Sequence, residues 1–200
     1  MPHRRITVLI AALFFLFHTV AALATTTIAL VSTDSSAQDS LALLQAQLSS
    51  EKSFQFVERS AIIQVLKEQK LTIFADPNHA VILGRLLHAD LLAVVESSPD
   101  AKAPTLLGLV IYDSATGVRL ADLTLTQDKP ESLAQTVLTA LRAANEKRST
   151  LPDGRKTFCL VAVRNTNLPR DRDSFCDALG LLLQRSLISS PNILLLNLIF

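Results

Sequence analysis

The sequence predicts an α/β fold with a mixed sheet, and three observations lead to it. Apolar runs of strand length alternate along the chain with segments of helical period. The first such runs are separated by a full helix, which calls for a right-handed parallel crossover. A later pair is separated only by a short turn containing glycine, which calls for an antiparallel hairpin.

Taken in order, "TIALVST" (27–33) is a continuous apolar run and reads as a buried strand. Ser35 with Gln38 forms a capping-box start, and Ala37, Leu41, Leu44 and Leu48 then recur at helical spacing. "FQFVE" (54–58) alternates again and completes a parallel βαβ unit. From Ser60 the period changes: Ile62, Val65, Leu66 and Gln69 share one helical face while Lys67, Glu68 and Lys70 point to water. Asp76 as N-cap and Pro77 at the first helical position open a third helix, with Ala80, Leu83 and Leu87 as its stripe. Gly84 inside that helix costs about 1 kcal/mol relative to alanine, so a second backbone is expected to pack against it. "DLLAVVES" (90–97) is a strand, and 105–126 divides at Asp113–Gly117 into a hairpin whose alternation slips at Ala121-Asp122. Asp128 and Pro130 start a helix on Leu133, Val137, Ala140 and Leu141.

An internal repeat follows. Shifted by 139 residues, "LLQAQLSSEKSFQFVER" (43–59) lies over the segment that begins at Leu182, so that Leu48 meets Leu187, Ser50 meets Ser189 and Phe54 meets Ile193. Upstream, "TIALV" matches "TFCLV". The expected organisation is a signal peptide (1–24), an α/β domain (25–145), a polar linker (146–156) and an incomplete second β-α-β repeat (157–200). About 45 residues cannot enclose a core alone, and "NILLLNLIF" needs cover; residues 157–196 are therefore expected to pack on the first unit or on another chain. The ending of the second copy at its strand also suggests a shortened form of a two-repeat parent.

The composition of the 200 residues, 49% apolar and 18% charged with a formal net charge of +1, is that of a globular chain and argues against nucleic acid as a partner. "MPHRR", the apolar "ITVLIAALFFLF" and Ala22-Leu23-Ala24 make up a signal peptide with a cleavage pattern, placing the mature start at Thr25 in the periplasm; an uncleaved N-terminal anchor is the alternative. No cysteine follows the small residues, so no lipid anchor is expected. Export permits a disulfide between Cys159, in "TFCLVAV", and Cys176, in the following helix beside Phe175, Leu179, Leu182 and Leu183. The plainer reading makes both cysteines small buried hydrophobes.

Candidate chemistry is sparse. His79 and His88, nine apart on one helix, face opposite ways and cannot share a metal. There is no nucleophile elbow, P-loop or dinucleotide fingerprint among five glycines. "RDRD" (170–173) reads as helix capping by Asp171 or Asp173. Glu58 and Arg59 stand where a parallel strand ends, a usual place for ligand crevices, but a strand-to-helix hinge explains them as well. No cofactor or metal is expected, and no enzymatic activity.

Val57-Glu58-Arg59, Leu66 to Gln69, Gly84 to Asp90 and Thr116-Gly117 occur in an order and spacing that resembles the CsgG family of envelope proteins, over roughly residues 27–126. His88 takes the place of a glycine in that family's pattern. The resemblance implies a three-layer α/β fold related to the TolB N-terminal domain, export to the bacterial envelope and no catalytic residues. Known members include the outer-membrane curli secretion channel and lipoproteins that support peptidoglycan synthesis. The short hairpin offers no long lipid-facing strands, so the pore is not carried over. The expectation is a non-enzymatic module for cell-envelope assembly or secretion, acting through a protein partner or by self-association. The alternative is a module that binds a small ligand or envelope polymer at the carboxyl edge of the parallel strands, near Glu58, Arg59 and Asp90.

Overall fold

In the computed structural model, residues 25–32, 38–69, 77–97, 106–126, 130–150, 156–160, 163–166, 169 and 172–196 are described. Their elements follow the expected order: β1 (Thr26–Ser32), α1 (Gln38–Leu48), β2 (Phe54–Phe56), α2 (Arg59–Gln69), α3 (Pro77–Leu86), β3 (Leu91–Ser97), β4 (Leu106–Asp113), β5 (Arg119–Thr126), α4 (Pro130–Ser149), β6 (Lys156–Cys159), α5 (Asp173–Ser189) and β7 (Ile193–Leu196). The signal segment and the expected caps at Ser35, Asp76 and Asp128 lie outside the described residues.

Among the described residues the strands form one mixed sheet in the order β2-β1-β3-β4-β5-β7-β6. β1 pairs in parallel with β2 and β3, and β3-β4-β5 is an antiparallel meander. Because β1 and β3 are buried on both faces, their near-continuous apolar sequences feed two cores. Ile28, Leu30, Leu91, Ala93 and Val95 pack under α1 and α4, while Ala29, Val31, Leu92 and Val94 pack under α2 and α3. The result is a helix–sheet–helix sandwich. The slip in the hairpin is a bulge: Ile111 faces Ala121 but Tyr112 faces Arg119, so Leu120 is the extra residue.

The segment after α4 joins the same sheet through a narrow seam. β7 meets β5 at the single pair Arg119↔Leu195, while β6 runs parallel to β7 over four pairs from Lys156↔Ile193 to Cys159↔Leu196. Side chains reinforce the seam. Asp122 accepts from Arg119 at 3.0 Å and from Arg185 of α5 at 3.1 Å, and its side chain is almost wholly buried. Lys147, also buried, donates to the carbonyl of Ile188 at 2.7 Å near the end of α5.

Several expectations change here. α4 runs through Ser149, so residues 146–149 are helix and not linker; the turn-like composition there masked a last helical turn whose Lys147 reaches inward. β6 is four residues long and exposed throughout, where a buried strand was expected, because nothing described pairs with its outer side. Cys159 is accordingly an exposed thiol, Cys176 is buried, and both are free. At α5 the N-cap position is Arg172, without a side-chain capping bond; Asp173 is the first helical residue and accepts from Asn165 at 2.9 Å.

The repeat seen in the sequence, offset by 130 residues in the first strand and by 139 in the helix and second strand, also relates the two βαβ units in space. Thr27 pairs with Gln55, and Thr157 with Leu194. The turn bonds match too. Glu51 N–H to Leu48 O (3.0 Å) corresponds to Ser190 N–H to Leu187 O (3.2 Å), and Thr26 N–H to Ser53 O (3.2 Å) to Lys156 N–H to Asn192 O (2.8 Å).

Candidate functional site

The sequence singled out Glu58, Arg59 and Asp90. β2 ends at Phe56, and Val57 N–H still donates to Ile28 O at 2.9 Å, so the chain leaves the sheet only at Glu58. There the Glu58 carbonyl accepts the first helical bond, from Ile62 N–H at 3.1 Å, which makes Glu58 the N-cap residue of α2. Its carboxylate is exposed and accepts from the Ser60 hydroxyl at 3.4 Å, while Arg59 starts the helix half-buried. A carboxylate beside a helix N-terminus is favoured by the helix dipole. The pair is a hinge.

Asp90 lies elsewhere. Its N–H donates to Thr27 O at 2.8 Å and its Oδ2 accepts from Thr27 N–H at 2.9 Å, so it stands level with Thr27 where the parallel strands begin. By the β1–β2 register, Glu58 stands level with Leu30. Three residues along the strands, roughly 10 Å, and two strand spacings of roughly 5 Å each separate them. The carboxyl-edge crevice that was to unite Glu58, Arg59 and Asp90 is therefore not formed. β3 begins with Leu91, so Asp90 precedes the strand instead of following one.

What does converge on Asp90 is an ion-pair cluster that sequence reasoning missed. Arg148, in the last turn of α4, reaches Asp90 Oδ1 at 2.5 Å and Asp113 Oδ1 at 3.3 Å. Thr116 donates its hydroxyl to Asp113 within the hairpin turn. A guanidinium held by two carboxylates thus ties α4 to the starts of β1 and β3 and to the end of β4. Arg148 was hidden because its segment read as linker; Asp113 showed only as the first residue of a turn.

The recess beside this cluster, about 330 Å³, is bordered by Gly84, Arg85, His88, Asp90, Ser114 and Arg148. Its shape follows from how α3 ends. His88 N–H donates to Arg85 O at 3.1 Å and Ala89 N–H to Gly84 O at 2.9 Å, the paired bonds of a Schellman ending. The residue between them takes the left-handed conformation, and His88 does so with φ 51°. It therefore lies past the helix end rather than on the same helix as His79. Gly84 is needed for the close approach anticipated: a Cβ there falls 2.5 Å from Ser114 Cβ.

Residues 4–98 match the family model of the curli production assembly/transport component CsgG. This part of the chain is similar to CsgG. The matched residues run through β3 and include His88 at its left-handed position. Among solved structures, the crystal structure of lipoprotein GNA1162 from Neisseria meningitidis is 17% identical, with 63% of this chain and 99% of that chain covered at a TM-score of 0.40. No curated protein matches in sequence. Among the described residues, no group of three or more His, Cys, Asp or Glu is placed to hold a metal, and no helix is long and apolar enough to cross a membrane.

Outside the CsgG-like residues lies a second surface. Phe158 on β6 and Phe175, Leu179, Leu181, Leu182 and Leu183 on α5 are all large apolar side chains exposed to solvent. Soluble chains seldom leave so many together uncovered, and such patches mark contact surfaces.

Proposed function

We propose that this chain is an exported, non-enzymatic module of the bacterial envelope, acting in assembly or secretion through protein contacts, including contacts with itself. The observation that carries the reading is the apolar face of α5 and β6, which a partner must cover. The CsgG match supplies the envelope setting, since that family is described as an assembly and transport component. Arg148, Asp90 and Asp113 support the same reading by being spent on one another: their geometry anchors a helix.

Cell fractionation and light scattering test this together. The protein is expected in the periplasmic or envelope fraction and in assemblies larger than a monomer, with no thermal shift on adding cell-wall fragments. A cytoplasmic protein, or a monomer stabilised by those fragments, sinks the proposal. Glu58→Gln is expected to leave every such readout unchanged, because that carboxylate is exposed and accepts only from the neighbouring Ser60 hydroxyl.

A further inference from the structure

The first βαβ unit shows what the second lacks. In the first, β3 pairs with the far side of β1 from Ile28↔Leu91 to Ser32↔Val95, and α4 packs beside α1 over the same core. In the repeat β6 corresponds to β1, 130 residues on, and α5 to α1, 139 residues on, yet β6 ends the described sheet. The consequence is measurable at matched positions. Ile28 is 0% exposed and its counterpart Phe158 41%; Leu44 is 6% exposed and its counterpart Leu183 42%.

The direction of the uncovered face also follows. Phe175, Leu179, Leu182 and Leu183 share one flank of α5 by helical spacing. On the other flank Arg185 grips Asp122 at 3.1 Å and Thr124 at 3.1 Å, both on β5. With that flank turned to β5, the match of α5 to α1, which packs over Ile28, assigns the apolar flank to the side of Phe158 and the open edge of β6.

We propose that a second copy of this chain covers this face, in a two-fold dimer whose β6 strands pair antiparallel and whose α5 helices lie side by side. An axis normal to the sheet keeps both helices on one face. The partner's β6 then stands where β3 stands for β1, and its α5 where α4 stands for α1. No β6 edge is left open, and the interface closes on itself as isologous contacts do. The occupant has to bring an unpaired strand and an apolar helix flank together, because Phe175, Leu179, Leu182, Leu183 and Ser186 carry no charge for a polar partner to read. The chain's own β6 and α5 bring both. Phe158 and the four α5 side chains expose on the order of 500 Å² per copy, and the β6 backbone with its polar rim extends this toward the roughly 800 Å² per partner of a standard interface.

This inference rests on the self-assembly reading and adds where the contact lies. Light scattering of the purified protein is expected to rise from monomer toward dimer through the micromolar range. Leu182→Asp, at an exposed position, should push that transition at least tenfold higher in concentration while leaving the unfolding midpoint unchanged in solutions dilute enough for both proteins to be monomeric. A short bismaleimide should join two copies through Cys159, the exposed thiol on β6. A monomer at every concentration overturns both the inference and self-assembly. A dimer that survives Leu182→Asp and is not joined at Cys159 overturns the β6–α5 interface and leaves self-assembly standing.

Discussion

The two βαβ units of this chain have matching strand registers and turn bonds but opposite surroundings. In the first, β1 is sandwiched between β2 and β3, and α4 is tied to β1 by the Thr26 hydroxyl donating to Asn145 Oδ1 at 2.9 Å and to the turn after α1 by the Arg142–Glu51 ion pair. In the second, β6 has one neighbour among the described residues and α5 faces solvent along most of its length. The same local grammar therefore produces a core in one place and a surface in the other. Burial is decided by what packs against a βαβ unit, and the local pattern alone does not reveal it.

The sharpest way to break the comparison is to truncate matched side chains. Ile28→Ala is expected to cost about 3 kcal/mol, the transfer term plus a cavity in a fully enclosed site. Phe158→Ala at the matching position should cost about 1.5 kcal/mol or less in the dilute monomer, since that residue is already 41% exposed. Urea unfolding of both variants measures the contrast; equal losses would mean that β6 is as enclosed as β1.

A somewhat smaller effect is expected at the seam. Asp122→Ala leaves Arg119 and the half-exposed Arg185 without their shared carboxylate, and should destabilise by about 2 kcal/mol, below the 3 to 5 kcal/mol of a fully buried pair. It should also release residues 156–196 to limited proteolysis first, because β5 and β7 share a single residue pair. Proteolysis that attacks β1 and β2 equally early would place the weak point elsewhere.

The same seam gives a pH dependence. Burial lowers the pKa of Lys147 below its usual 10.5, so the unfolded chain binds this proton more tightly than the folded one. Stability from this group therefore rises with pH through the window between the depressed folded value and 10.5, and is smallest below it. Tyr112 acts oppositely: burial raises its pKa above 10.0, so its contribution is intact below 10.0 and is lost as pH climbs past it. Lys147→Met should flatten the rise in unfolding midpoint as pH approaches 10.5; an unchanged slope would remove Lys147 as its source.

The smallest expected effect lies within the first unit. His88 holds a left-handed backbone at φ 51° that glycine adopts without strain. His88→Gly should stabilise by about 0.5 kcal/mol, the relief of strain minus the added freedom of the unfolded chain. Calorimetry showing destabilisation would mean that the imidazole makes contacts worth more than the strain.

Most of the scaffold was legible because its signals are local. Two-residue alternation at Phe54–Phe56, the period change after Ser60, Pro77 and Pro130 at helix starts and the Gly117 turn each act within a few residues. Gly84 was legible as a close approach, though only the fold names Ser114 as what it meets. The site was less legible, because it depends on register. Whether Asp90 stands with Glu58 or opposite it turns on which end of β3 it occupies, and β3 begins one residue later than the expected strand. Arg148 and Asp113 come from elements far apart in sequence, joined only once α4 lies across the sheet. The exposure of Phe158 was invisible for the same reason: "TFCLV" looks like "TIALV", and only the missing neighbour tells them apart.

Amide hydrogen exchange at two protein concentrations tests the central claim most directly, that the second unit is built like the first but waits for cover. Protection of the outward-facing β6 amides should be weak in dilute solution and rise on concentration, while Ala29 to Val31 in β1 stay equally protected at both. Strong protection of β6 at high dilution, or none gained on concentration, would contradict it.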